Sequence, residues 1–344
     1  MQTDKHFLIT FATILAVFAA APLVVENIHF HHLMVMLLLY AALSQAWNLI
    51  GGYAGQVSFG HAVFFGIGAY AAMAPLNQWG LTPWIGMALG GLTAVAVALI
   101  IGVPVFRLKG HYFAISTFAV AEVVRELFSN WNWIDGPIGL DAPVLEPSWR
   151  NFIFYHTKLP YHYTALIFFA IVLLVTFRME RSRMGYYFRA IKQRPEAAQA
   201  MGVNIVLYKQ YAFMISAFFT AICGSFYGLY VLHIEPATVL SLDISIKIVL
   251  ITALGGAGFL WGPLLGAAIL IPLQEYSRIW LGGTGKGIDL IVLGGLIVII
   301  CIFEPSGIVG LFKRFKGHSG KRGSQPDPAG WEHDKAGLKT AELE

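Results

Sequence analysis

The chain has 344 residues, of which 57% are hydrophobic and only 12% charged, against about 25% charged in ordinary soluble domains. That balance excludes a water-soluble globular domain and calls for an all-α, polytopic integral membrane helical bundle. A net charge of +4 gives no reason to expect a nucleic-acid partner; where the charges lie is more informative.

A membrane crossing needs roughly 17–25 predominantly apolar residues, and ten stretches are candidates for transmembrane or re-entrant helices: 7–25, 33–50, 57–75, 84–106, 112–129, 162–178, 208–232, 243–257, 261–281 and 288–304. The first follows Lys5 and contains Ala19-Ala20-Ala21, as a signal peptide would. Its 19 residues nevertheless exceed the roughly 7–15 of a signal core, so a retained span is expected. The stretches 57–75 and 243–257 are short or glycine-rich, and 112–129 carries Glu122, Arg125 and Glu126. Broken or re-entrant helices are the alternative there, because irregular backbone is tolerated at membrane depth only under cover of protein or beside water.

Along the chain, His29, His31 and His32 stand close together without an acidic or thiol companion, so no metal site is expected. Around the turn Gly51-Gly52-Tyr53-Ala54-Gly55 sit Gln45, Asn48, Gln56, Ser58 and His61. With Ser116 and Thr117 these uncharged polar residues are the candidates for a solute pathway. The competing reading of His61 is a histidine hydrogen-bonded inside the bundle. Glu122 and Arg125 are i,i+3 and Asp243 and Lys247 are i,i+4, spacings that let opposite charges neutralise each other on one helix face. Structural ion pairs are therefore favoured over a charged pathway. Residues 130–161, with Trp131, Trp133 and Trp149, read as an external interfacial loop. The turn Gly255-Gly256-Ala257-Gly258 faintly repeats the earlier glycine turn, a pattern known from transporters built of internal repeats.

The basic loop 178–209 contains the sharpest local signal. Pro195 suits a first helical position, Glu196 faces the positive end of the helix dipole, and Gly202 can end the helix in a left-handed conformation. Ala197, Ala198 and Ala200 make a small-residue surface between them, suited either to a partner or to lying on anionic lipid. The run Gly282-Gly283-Thr284-Gly285-Lys286-Gly287 is no phosphate loop, since Trp280 and Gly287 occupy positions that need glycine and Ser/Thr. Cys223 and Cys301 lie in apolar runs and read as packing residues. No catalytic constellation is present, so the chain is expected not to be an enzyme. From Lys313 to Glu344 aliphatic residues are scarce and a disordered tail is expected, leaving 1–312 as the membrane domain.

Counting ten crossings from an inside N-terminus places 17 of the 23 Lys/Arg on one side, which the positive-inside rule makes cytoplasmic. Both termini and the 178–209 loop are then cytoplasmic.

Four runs resemble the permeases of branched-chain amino acid ABC transporters. They are Asn48 through His61; Gly110-His111-Tyr112-Phe113-Ala114 with Thr117, Glu122 and Arg125; Arg189-Ala190-Ile191 through Glu196-Ala197-Ala198 to Gly202-Val203-Asn204; and Ala253 through Ala267. Together they span about 40–310, and the likeness is greatest to the second, M-type permease subunit. The resemblance implies one half of a heterodimeric permease in a bacterial inner membrane. Its partners would be the second permease subunit, two ATP-binding subunits that use ATP and Mg, and an extracytoplasmic solute-binding protein. Glu196-Ala197-Ala198-x-x-x-Gly202 is similar to the family's coupling motif, implying that Arg194, Pro195, Glu196, Ala197, Ala198, Met201 and Gly202 dock on an ATPase. At Ile134-Asp135-Gly136-Pro137-Ile138-Gly139-Leu140 the chain departs from the Thr-Gly-Gly turn common in the family. The implied solute is accordingly a branched-chain or other small amino acid, an amide, urea or a small aromatic acid. The competing class is a self-sufficient secondary transporter or channel for a small polar solute.

Overall fold

A computed structural model describes residues 2–281 apart from 26, 109 and 156, together with 294, 295 and 308. Helix α1 (Gln2–Val24) is followed by α2 (Ile28–Asn48), which runs on into a π-helical turn, Leu49–Tyr53. Then come α3 (His61–Trp79), α4 (Pro83–Val105) and α5 (His111–Ser129). A largely irregular segment carries the two-residue strand β1 (Leu140–Asp141) and leads to α6 (Leu159–Glu180). Two short helices, α7 (Arg183–Gln193) and α8 (Pro195–Ala200), precede the long α9 (Ile205–Val231). Strand β2 (His233–Ile234), α10 (Pro236–Val239), α11 (Leu242–Gly255) and α12 (Gly262–Leu281) complete the described part. The expected span 288–304, the 282–287 glycine run, Cys301 and the tail from 313 lie outside the described residues.

Six of these segments are long and apolar enough to cross a membrane: Phe7–Val24, Ile28–Tyr53, Pro83–Val105, Leu159–Glu180, Ile205–Val231 and Pro236–Gly255. The stretch expected at 57–75 forms a continuous helix displaced to His61–Trp79, because residues 54–60 follow the π turn as irregular chain. The 112–129 stretch is likewise an unbroken helix. The 243–257 stretch is also one unbroken helix, the 14-residue α11, with the short α10 just ahead of it. The basic loop is shorter than expected, since α6 continues to Glu180 and α9 starts at Ile205.

Helix α9 lies at the centre, with α3 and α4 across one side of it and α2 across another. Glycine makes the α3–α9 crossing possible. A Cβ on Gly68 would collide with the Ala221 carbonyl, and one on Gly224 with the Phe65 carbonyl. Small residues at such crossings let backbones touch. The core between α2, α3, α9 and α11 is filled by Leu38, Phe65, Phe226 and Ile248, all essentially inaccessible.

At one end of the bundle the segment between α5 and α6 folds back over the helix ends. Trp84 Nε1 donates to the Trp149 carbonyl at 2.8 Å, and Thr82 Oγ1 to that of Arg150 at 2.7 Å. Strands β1 and β2 pair antiparallel, Leu140 opposite Ile234 and Asp141 opposite His233. The glycine turns and the basic α7–α8 loop lie together at the other end.

Candidate functional site

Two features define the site: a lever of two short helices at the basic end, and the open face of α5. The lever forms where the sequence places it. Pro195 opens α8 after Arg194, whose extended backbone ends α7. Gly202 closes it with φ of +84°, its N–H donating to the Gln199 carbonyl while that of Val203 reaches Ala198. The left-handed conformation is what makes glycine the natural residue here. Ala198 is buried and seats α8 on the rest of the chain, whereas Glu196, Ala197 and Ala200 are exposed and Met201 is 85% exposed. The small-residue surface is thus split, with Ala198 turned inward and its neighbours outward. A groove of about 770 Å³ runs beside α8, lined among others by Gln56, Arg107, Pro195, Glu196, Gln199 and Gly202.

The lever is fastened to the glycine turns. Lys192 Nζ on α7 donates to the Gly52 carbonyl at 2.7 Å. The partial burial of this ammonium holds its pKa below the ordinary lysine value. Glu180, at the end of α6, accepts from Arg189 through its backbone carbonyl at 2.6 Å and lies 3.5 Å from that guanidinium through its carboxylate. It also accepts from the Tyr53 hydroxyl at 3.3 Å. The two glycine turns, faintly alike in sequence, meet in space. Asn48 Nδ2 donates to the Phe259 carbonyl at 3.1 Å and its Oδ1 accepts the Gly258 N–H at 2.8 Å. A Cβ on Gly52 would strike Asn48, and one on Gly258 would come within 2.9 Å of the Gly52 carbonyl and 3.2 Å of Lys192 Nζ.

Most of the expected pathway residues are buried and bonded within the bundle. His61 is fully buried, with its Nε2 2.8 Å from Ser216 Oγ and its Nδ1 3.1 Å from Ser58 Oγ. The Ser216 hydroxyl donates to the Ala46 carbonyl, so it accepts from His61. The imidazole therefore carries its proton on Nε2, and Nδ1 accepts from Ser58. Asn48, Ser58 and Thr117 are buried as well. Thr117 Oγ1 accepts the Phe59 N–H at 3.1 Å, joining the chain after the π turn to α5. Short, buried polar groups of this kind bond helices to one another. Ser116 is half-buried and bonded to the Phe113 carbonyl, and Gln56 belongs to the groove beside α8.

Of the expected ion pairs, one forms. Arg125 bonds to Glu122 and, at 2.9 Å, to Glu126. The Asp243–Lys247 pair does not form among the described residues. Lys247 Nζ instead lies over the Tyr40 ring, 5.0 Å from its centroid, an attraction that competes with an exposed carboxylate one turn away. His32 bonds to the Tyr230 hydroxyl and His31 to backbone carbonyls. No cluster of metal-ligating side chains occurs among the described residues.

Helix α5 is unlike its neighbours. Only Phe113, Thr117 and Ala121 are buried, while Tyr112, Ile115, Val123 and Leu127 are all more than half exposed. The Glu122 and Glu126 side chains share this open face, 46% and 57% accessible. Apolar and acidic groups together line a shallow groove there.

A helical bundle with a membrane-length core, a basic loop of two short helices and an amphipathic helix with an open face defines a polytopic helical membrane protein. The family described as the permease component of the branched-chain amino acid transport system matches residues 29–301, and the chain belongs to it. It is 28% identical over 296 residues to the high-affinity branched-chain amino acid transport system permease protein LivM of Salmonella typhimurium, covering 80% of this chain and 68% of the relative. The LivM protein of Escherichia coli K12 is 28% identical over 294 residues, 79% of this chain and 68% of its own. The permease protein LivH of Salmonella typhimurium is 24% identical over 297 residues, 79% and 91% respectively. No solved structure matches the chain.

Proposed function

We propose that this chain is one of two permease subunits of an ATP-driven importer of branched-chain or other small amino acids in a bacterial inner membrane. Helix α8 would dock on one of two ATPase subunits, which bind and hydrolyse ATP with Mg, and the chain itself carries no catalysis. Solute would arrive from an extracytoplasmic binding protein at the end covered by the 130–158 segment. Both termini and the lever would be cytoplasmic, in accord with the basic charge gathered there.

The observation that carries this reading is the open face of α5. Charged side chains facing lipid are penalised and normally turn to protein or water, and Glu122 and Glu126 share the open face of α5 with Ile115, Val123 and Leu127. Cover by a second permease, with a polar passage between the two, removes that penalty. ATP binding would close the ATPase dimer, move α8 and shift α5 against its counterpart.

The test is co-expression with a second permease, two ATPases and the binding protein, followed by uptake of radiolabelled leucine, isoleucine and valine into proteoliposomes. Uptake should require internal ATP. Ala200→Trp or Met201→Asp, on the exposed side of α8, should abolish co-purification of the ATPase while leaving membrane insertion intact. Uptake driven by an ion gradient without ATPase subunits would establish a secondary transporter instead.

A further inference from the structure

We propose that Lys192 is a positioning residue that transmits motion of the α7–α8 lever to the two glycine turns and onward to α5; this rests on the docking role proposed for α8. The contacts form a continuous physical path. Lys192 grips the Gly52 carbonyl, and its ammonium also abuts Gly258. Asn48 locks the first turn to the second. Beyond the first turn, Phe59 donates its N–H to Thr117 on α5. Lys192 thus holds the junction of α2 with α3, Asn48 ties that junction to the one between α11 and α12, and the first junction is bonded to the helix with the open charged face.

The turns are built to be moved. Leu49–Tyr53 is π-helical, a form that occurs mostly as single turns at functional sites. Gly55 and Gly258 have φ of +71° and +87°. The buried Leu49, Ile50 and Tyr53 of the π turn share a core with Phe188 of α7, and a hydrogen bond from α7 adds a hold on its backbone. On the other side, Arg189 and Glu180 tie α7 to the end of α6. Lys192 is therefore the direct polar link from α7 into the turns. Coupling between sites is carried by packed and hydrogen-bonded elements of this sort.

The experiment uses the complete complex in nanodiscs and reads the rate at which maleimide labels Ala119→Cys on the exposed face of α5, with and without ATP-Mg. This readout needs no knowledge of the solute. Failure of the ATPase subunits to co-purify with the unaltered chain would refute the docking role before any Lys192 variant is made. With Lys192 in place, nucleotide should change labelling severalfold. Lys192→Met should reduce that change to less than twofold while the ATPase still co-purifies and hydrolyses ATP. Lys192→Arg, which keeps a charged donor, should retain it.

A covalent surrogate supplies the second arm. A Cβ built on Gly55 lies 3.3 Å from that of Lys192, close to the roughly 3.5–4.5 Å between the Cβ atoms of a disulfide. In the Gly55→Cys, Lys192→Cys pair the nucleotide response should be lost when reduced and regained on oxidation. A full response in Lys192→Met overturns the proposal. So does a Cys pair that behaves alike reduced and oxidised, which is also the outcome if the lysine serves folding alone.

Discussion

Two carboxamides on α2, three residues apart, provide a sharp test of how the turns are held. Asn48 and Gln45 are both fully buried. Asn48 bridges Gly258 and Phe259, while neither amide atom of Gln45 has a hydrogen-bonding partner among the described residues. Replacing each with leucine should therefore have opposite consequences. In Asn48→Leu the Gly258 N–H loses its acceptor, a loss worth about 1–3 kcal/mol for a buried group. The second hydrogen bond adds roughly 0.5–1.5 kcal/mol. Because Gly258 is only half-buried, a total of about 1–3 kcal/mol is expected. In Gln45→Leu a polar group with no protein partner is removed from the interior, which is neutral or stabilising, by up to about 2 kcal/mol. The assay is the thermal midpoint of detergent-solubilised protein followed by fluorescence-detected size exclusion. The midpoint of Asn48→Leu should fall below that of the unaltered chain, and that of Gln45→Leu should equal or exceed it. Equal losses in both, or the reverse order, would refute the argument that Asn48 clamps the turns.

Further outcomes follow from the same structure. Gly224→Val drives side-chain atoms into the Phe65 carbonyl and should leave no monodisperse protein in size exclusion, since overpacking costs about 1–3 kcal/mol or more and backbone cannot step aside. Changing Glu122 and Glu126 together to Gln strips Arg125 of both its carboxylates and should lower the yield of permease heterodimer. Changing Arg125 to Gln as well should restore yield above that double variant, because a lone cation is worse placed than a neutral group. A yield from the triple variant below that of the double one would show the charges to be needed for assembly. Trp84→Phe removes the hydrogen bond to Trp149 and should quicken external proteolysis of the 143–155 segment severalfold, without changing co-purification of the ATPase.

The legibility of this chain in its sequence follows the range of the interactions. Helix α8 could be read because Pro195, Glu196 and Gly202 act within about two turns of helix. The Glu122–Arg125 pair could be read for the same reason. Asp243 and Lys247 have equivalent spacing, yet Lys247 finds Tyr40, some two hundred positions away in the chain. Asn48, Ser58, His61 and Thr117 were recognisable as polar residues in apolar surroundings. Their partners at 258, 216 and 59 come from other elements, so internal glue and pathway lining looked alike. Lys192 was one basic residue among several in a basic loop; the only hint of its role was its distance from glycines that would have to approach something closely. The start of α3 lies later than expected because Val57 and Phe59 are apolar enough to pass for helix.

Helix α1 stands apart from everything else. Most of its surface faces outward, and it is held by a few contacts: the Phe7 ring stacked on Phe177, and the Phe18 carbonyl bonded to His162. The family match begins at residue 29, just past it. The part that the family matches therefore starts at α2, at the end away from α8, and α1 leads from there back toward the end where Phe177 lies. Trimming it would shift the beginning of the polypeptide to the opposite end of the bundle.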